Sequence, residues 1–250
     1  PITNLGFQFG YGVFETIKFS SSKIISFDKH LLRLSKSLKK YSIDYKIDYK
    51  NLHDLILDGI KKNDACQGTI KIIITPHEYK PTSYLFILYR KQEEIKNLPV
   101  LIKFFNEEEY DIKRSDSFYK SLNYIGNYIA SRMARKEGYF EPIFYNINGH
   151  VTEGAFRNIF FIKNNKLFTP PLSMGILPGT TRESVLLIAK NLNIAIDESK
   201  IDIDTVNDMD EAFITSAGIG VVPCKWDKWN SQHILTNEIK NKFDSMQKIE

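Results

Sequence analysis

Tyr119-Lys120-Ser121-Leu122-Asn123-Tyr124 is the stretch whose residue types bear most directly on chemistry. The apolar spacing beyond it predicts an amphipathic helix over 121–137, stopped by Gly138. That helix would place Lys120 just before a helix N-terminus, where the positive end of the dipole destabilises an ammonium group. Desolvation would lower the pKa further. A neutral amine is what condensation with a carbonyl group requires. Alone the signal is weak, because lysine is rarely buried and most lysines at helix starts face solvent.

Three other features carry chemical meaning. Glu153 follows the Asn148-Gly149 turn in Val151-Thr152-Glu153-Gly154. A carboxylate at the start of a strand can hydrogen-bond a pyridine nitrogen and keep it protonated, or it can be an ordinary edge-strand Glu. Gly179-Thr180-Thr181-Arg182-Glu183 reads as a capping box of Thr180 and Glu183. Free N–H groups and two hydroxyls at a helix start make an anion site, although an ordinary capped helix has the same pattern. Arg33 sits in a Leu-rich helix, in His30-Leu31-Leu32-Arg33-Leu34. If buried it needs an anion, and a phosphate suits its fork; if not, it reaches solvent.

The elements that must position these groups follow from periodicity. Residues 12–19 alternate as a strand, and 23–27 can pair with it after a Ser20–Ser22 turn. Asp28 offers an N-cap to a helix with Leu31, Leu34 and Leu38 on one face. A second helix fits 49–62, and strands fit 69–75 and 83–90. Residues 91–98 are polar and precede Pro99, the best linker candidate. Two domains are therefore expected, 1–95 and 96–250. In the second, strands fit 99–105, 141–146, 156–162, 166–169, 211–215 and 219–224, and helices fit 180–192 and 236–247. The irregular alternation with several hairpins indicates an α+β chain and not a doubly wound sheet.

Composition narrows the class. With 42% hydrophobic and 26% charged residues the chain is an ordinary globular one. Net charge is +4, but the lysines are spread among acids, so no nucleic-acid tail is indicated. Two cysteines, Cys66 and Cys224, make neither a disulfide framework nor a metal cluster, and both read as buried small apolar residues. No apolar run approaches a membrane span and no signal peptide precedes Pro1, so a reducing cytoplasm is the expected setting. The start just ahead of an Asn-Leu-Gly turn suggests that an N-terminal strand is missing or short.

Order and spacing together say more than any motif alone. Phe9-Gly10-Tyr11-Gly12-Val13-Phe14-Glu15-Thr16, the His-x-x-Arg-Leu helix, Lys120-Ser-Leu-Asn, Thr152-Glu153-Gly154 with Asn158-Ile159-Phe160, Thr169-Pro170-Pro171-Leu172 through Gly175-Ile176-Leu177-Pro178-Gly179-Thr180-Thr181-Arg182, and Phe213-Ile214-Thr215-Ser216 follow one another along nearly the whole chain. The sequence resembles the class IV aminotransferases, fold-type IV enzymes of pyridoxal 5′-phosphate (PLP). That resemblance implies a small α/β domain, a larger pseudo-barrel domain and a homodimer. It implies that Lys120 holds PLP and moves protons, and that Glu153, with Asn158 in the same block, serves the pyridine nitrogen. It further implies that Leu177 packs on the ring, and that Arg33, Thr180, Thr181, Ser216 and Ala217 serve the phosphate. Many relatives have Thr where Ala217 stands.

Within the family, Ser-Leu-Asn after the lysine resembles D-amino acid aminotransferases and aminodeoxychorismate lyases more than branched-chain enzymes, which usually carry Ala-Gly-Gly-Asn-Tyr. The D-specific enzymes usually bind the substrate carboxylate with a Tyr and an Arg-x-His pair. Here Phe14 stands at the Tyr position and Thr75-Pro76-His77-Glu78-Tyr79-Lys80 at the pair, leaving His77 or Lys80 as substitutes. Phe-Glu-Thr-Ile and Thr-Pro-Pro-Leu-Ser-x-Gly-Ile-Leu-Pro-Gly are most similar to the lyases. The lyases often carry an Arg where Pro76 or His77 stands here. The expected reaction is aminodeoxychorismate lysis to 4-aminobenzoate and pyruvate. The alternatives are transamination of a branched-chain or D-amino acid with a 2-oxo acid, and a PLP-binding relative without catalysis.

Overall fold

The computed structural model describes residues 2–21, 23–64, 66–92, 94–112 and 119–249. Ser22 of the expected turn and Glu93 of the expected linker lie outside them. The chain is α+β and divides into two compact units. The first holds the described residues up to 92 together with Tyr119–Tyr124; the second holds those of 94–112 and 125–249.

The first unit begins with α1 (Leu5–Phe9), a single turn whose N-cap Asn4 accepts from the Phe7 N–H at 3.0 Å. The sequence pattern did not predict this helix. It ends at Gly10, which takes φ +67, a left-handed conformation that suits glycine. Strands β1 (Val13–Ser20), β2 (Lys23–Ile24), β3 (Gln67–Pro76) and β4 (Ser83–Lys91) form a four-stranded sheet in the order β2-β1-β3-β4. Helices α2 (Phe27–Lys40) and α3 (Tyr49–Lys62) cover one face. Side chains alternate across a strand. Val13, Ile17 and Phe19 therefore share the covered face with Ile70, Ile72 and Ile74, packed on Leu31, Leu34, Leu38, Leu52, Ile56 and Ile60. Phe14, Thr16, Lys71, Ile73, Phe86 and Leu88 occupy the other face by the same alternation and register.

Two differences from expectation bear on the site. Helix α2 starts at Phe27 with Ser26 as N-cap, not Asp28, because Phe27 is itself buried and packs with the core. Asp28 lies in the first turn, where a carboxylate favours the dipole. The larger difference concerns Lys120. No helix begins at 121. Ser121 bridges Val13, the Lys120 carbonyl accepts from the Phe14 N–H at 2.8 Å, and the Leu122 N–H donates to the Gly12 carbonyl at 3.0 Å. Backbone groups committed to the start of β1 are not available to a helix. The close approach depends on glycine: a Cβ on Gly12 would lie 2.7 Å from both Leu122 Cδ1 and Thr75 Cγ2.

The second unit contains β5 (Val100–Asn106), α4 (Ile125–Lys136), β6 (Glu141–Tyr145), β7 (Val151–Gly154), β8 (Asn158–Lys163), β9 (Lys166–Thr169), α5 (Thr180–Asn191), β10 (Ala195–Glu198), β11 (Glu211–Ser216), β12 (Gly220–Lys225) and α6 (Ile234–Ile249). Among the described residues its sheet has eight strands, ordered β10-β9-β8-β11-β12-β5-β6-β7. Strands β7 and β8 stand five places apart in that order, yet only residues 155–157 separate them in sequence. The sheet must therefore curl into a half-barrel. Ile102, Ile143, Val151, Ile159, Phe161, Ile214 and Val222 fill one apolar cluster. Phe160, Ile162 and Phe213, on the opposite side of their strands, pack with Val185 and Ile188 of α5 and Ile239 and Phe243 of α6. The expected Asn148-Gly149 turn joins β6 to β7, with Gly149 at φ +76. Cys224 is buried, and burial pushes its thiol pKa up. Cys66 is exposed, against expectation. Among the described residues no helix is long and apolar enough to cross a membrane.

Candidate active site

In the first unit the groups gather around Lys120. This lysine is only 8% exposed, which sets it apart from most lysines. Its Nζ lies 4.8 Å from the centre of the Phe14 ring and 5.3 Å from that of Tyr124, and the two rings meet edge to face at 5.2 Å. Helix α4 begins only at Ile125. The dipole argument therefore does not apply, since the field of a helix end falls off within one turn. The amine packs against two aromatic rings instead.

Behind β1 lies a charged cluster. Glu15 points to the helix-covered face of the sheet and is fully buried. His30 and Arg33, three residues apart on α2, share the helix face opposite it. Arg33 grips the carboxylate with Nε at 2.7 Å and Nη2 at 2.8 Å, and His30 Nδ1 lies 2.8 Å from Oε2. Burial alone would raise the Glu15 pKa. The charge of Arg33 and the hydrogen bonds of Arg33 and His30 outweigh it and hold the value at about 2. Burial lowers the His30 pKa against the pull of Glu15, and the charges of Arg33 and Lys120 push the same way. The anion that a buried Arg33 requires is thus supplied within the chain, by a residue the sequence reading quoted only as part of a motif. Its signal was available: a carboxylate at a core position of an alternating strand must be paired.

In the second unit Glu153 is 8% exposed at the end of β7. Its Oε2 accepts from Asn158 Nδ2 and from the Leu177 N–H, each at 3.1 Å. Asn158 Nδ2 also donates to the Leu177 carbonyl at 2.9 Å, fastening the segment before α5 to β8. Helix α5 starts at Thr180 with Gly179 as its N-cap, and no side chain caps it. The expected capping box is therefore absent. Gly179 occupies the cap because a Cβ there would lie 2.1 Å from Asn158 Oδ1. Thr181 is buried and Thr180 half-buried at this tip. Arg182 turns away: its Nη2 donates to the Pro170 carbonyl at 3.1 Å and to Glu198 at 2.7 Å. Ser216, the last residue of β11, and Ala217, in the turn to β12, are both half-buried.

Of the candidate substrate residues, Phe14 lies beside Lys120. His77 instead accepts from the Tyr79 N–H at 3.0 Å and stacks on Tyr84, while Lys80 is exposed in the β3–β4 loop. A second lysine over the Phe14 ring is Lys71, at 4.1 Å, which its sequence position does not mark out.

These donors suit PLP by their chemistry. A buried amine can condense with its aldehyde, a buried carboxylate can meet its ring nitrogen, and a helix tip without a side-chain cap, rich in threonine, can receive its phosphate. Residues 12–225 match the family model for amino-transferase class IV. The chain belongs to this family of PLP-dependent enzymes. It is 29% identical to D-alanine aminotransferase of Bacillus licheniformis, over 89% of this chain and 81% of that one. It is 27% identical to aminodeoxychorismate lyase of Bacillus subtilis, over 87% and 78%. The structure of a branched-chain aminotransferase from Thermoproteus uzoniensis superposes with a TM-score of 0.88 at 24% identity, covering 98% of this chain and 88% of that one, and so shares the fold.

Proposed function

We propose that this enzyme is an aminodeoxychorismate lyase in which Lys120 holds PLP and serves as the base. Burial of the Lys120 amine between Phe14 and Tyr124 carries this reading. Glu153 would meet the pyridine nitrogen, Leu177 the ring, and Arg33, Thr180, Thr181, Ser216 and Ala217 the phosphate. Bound PLP supplies an aldehyde that condenses with amines and a cationic ring that accepts electrons from the carbon next to nitrogen. The chain's own residues do the rest. Glu153, fixed by Asn158 and Leu177, keeps the ring nitrogen protonated. Arg33, aligned by Glu15, would donate hydrogen bonds to the phosphate. Lys120, released by the incoming amine, removes the proton from the ring carbon that carries the amino group. The bond to the enolpyruvyl oxygen on the adjacent carbon then breaks, pyruvate leaves, and the ring becomes aromatic as 4-aminobenzoate. The homodimeric state and cytoplasmic setting implied by the family resemblance and composition belong to the same reading.

Phe14 favours the lyase over a D-specific transaminase, because its ring lacks the hydroxyl that those enzymes use for the substrate carboxylate. Similarity to D-alanine aminotransferase keeps transamination as the second reading. In it Lys120 would move the proton taken from the substrate carbon, and a 2-oxo acid would be the product. Assaying purified protein with aminodeoxychorismate, and with L- and D-amino acids plus 2-oxoglutarate, separates the two. Formation of 4-aminobenzoate supports the lyase, and steady turnover of an amino acid with 2-oxoglutarate rejects a dedicated lyase.

Glu153→Gln isolates the role of the carboxylate charge. The amide oxygen can still accept from Asn158 and Leu177, so the fold should persist. Turnover is expected to fall by at least about 100-fold, as when other preorganised groups facing developing charge are removed. Steady-state kinetics beside a thermal melt measure both.

A further inference from the structure

We propose that Lys71 is the residue that receives the substrate's carboxylate, so that the enzyme selects amines carrying an anionic group. The inference deepens the reading of Lys120 as the amine-exchanging lysine and rests on it.

Lys71 lies on β3 opposite Thr16, on the sheet face that Phe14 shares and the helices leave open. Its Nζ sits 4.1 Å from the centre of the Phe14 ring, and Lys120 Nζ lies 4.8 Å from the same centre. Two groups over one ring at those distances are at most about 9 Å apart. A carboxylate held at an ordinary charge-assisted distance of about 2.8 Å from Lys71, on the line toward Lys120, then lies about 6 Å or less from the Lys120 nitrogen. That span accommodates carboxylates from the carbon bearing the amine out to the far side of a six-membered ring.

The charge on Lys71 is otherwise unanswered. It is half-buried, and among the described residues no carboxylate or hydrogen-bond acceptor reaches its Nζ. Burial first, and the charge of Arg90 on β4 second, lower the Lys71 pKa. A half-buried cation beside a cation and a ring is stabilised when an anion arrives. Lys80 and His77, which stand where relatives bind carboxylates, do not share this placement.

The test compares wild type, Lys71→Met and Lys71→Arg, all loaded with PLP. Propionate, a carboxylate without an amine, is titrated calorimetrically into each, and KM and kcat are measured for the turned-over substrate. We expect propionate to bind wild type and Lys71→Arg. Lys71→Met should lose that binding by about 10- to 100-fold, the worth of one charged hydrogen bond. KM should rise by a similar factor while kcat stays within about threefold, and the cofactor's visible absorption should not change. Equal propionate binding and equal KM in Lys71→Met overturn the proposal. So does a change confined to oligomeric state, which would assign Lys71 to an interface between copies. Absence of the lysine-linked cofactor absorption in wild type would overturn the reading of Lys120, a separate outcome.

Discussion

Lys120→Arg is expected to lower turnover by at least about 1,000-fold while leaving the fold intact. The magnitude follows from the two tasks assigned to one amine. General-base proton transfer contributes about 100- to 10,000-fold, and the guanidinium of arginine is effectively always protonated, so it can neither accept that proton nor condense with a carbonyl. Arginine retains the positive charge and can still lie over the Phe14 and Tyr124 rings. Folding should therefore change little, and a thermal melt beside the kinetic assay separates lost chemistry from lost structure. Retention of more than a tenth of wild-type turnover would remove Lys120 from the catalytic role.

Glu15→Gln is expected to produce the largest change in stability. Glu15 is fully buried and anchors both Arg33 and His30. Removing one partner of a buried ion pair costs about 3–5 kcal/mol, because the remaining charge is left uncompensated. The pH dependence gives an independent handle. The folded pKa of about 2 lies below the ordinary value of 4.5. A depressed carboxylate pKa stabilises the fold above the unfolded value and loses that contribution as pH falls toward the folded one. The difference between wild type and Glu15→Gln should thus be full above about pH 5 and shrink by about 3 kcal/mol as the pH falls from there toward 2. Urea denaturation across that range measures it, and a pH-independent difference would show that the carboxylate is not ionised by its partners. Because Arg33 loses its alignment, PLP affinity should fall as well.

These expectations arise from different depths of legibility. Strong periodicity was readable: α3 spans Tyr49–Lys62, the range its apolar face predicted, and β9 spans Lys166–Thr169 as expected. Elements whose reason lies in tertiary contact were not. Helix α1 depends on the Asn4 cap, and Asn4 is itself held to Thr75 Oγ1 at 2.8 Å, 71 residues away. Strand β10 pairs in parallel with β9, an edge pairing that its own alternation does not announce. The start of α4 moved because residues 120–122 spend their backbone groups on β1, which no local propensity reveals.

The site divides along the same line. Lys120, Arg33 and Glu153 stood out by motif, and all three prove to be buried or nearly so. The contacts that explain them were not legible. Asn158 and Leu177 were expected to face the cofactor, and they also hold Glu153 through a turn and a pre-helix segment; Glu15, quoted only within a motif, meets Arg33 through strand-to-helix packing. Lys71 was invisible because a lysine on the polar phase of a strand reads as solvent-facing. Only the register that sets β3 beside β1 brings it to Phe14.

The most direct measurement is borohydride reduction of the PLP-loaded protein followed by peptide mapping. Modification of the single peptide that carries Lys120, abolished when a competing amine is present, is the predicted result. A modified lysine elsewhere in the chain, or no fixation of PLP at all, would contradict the account.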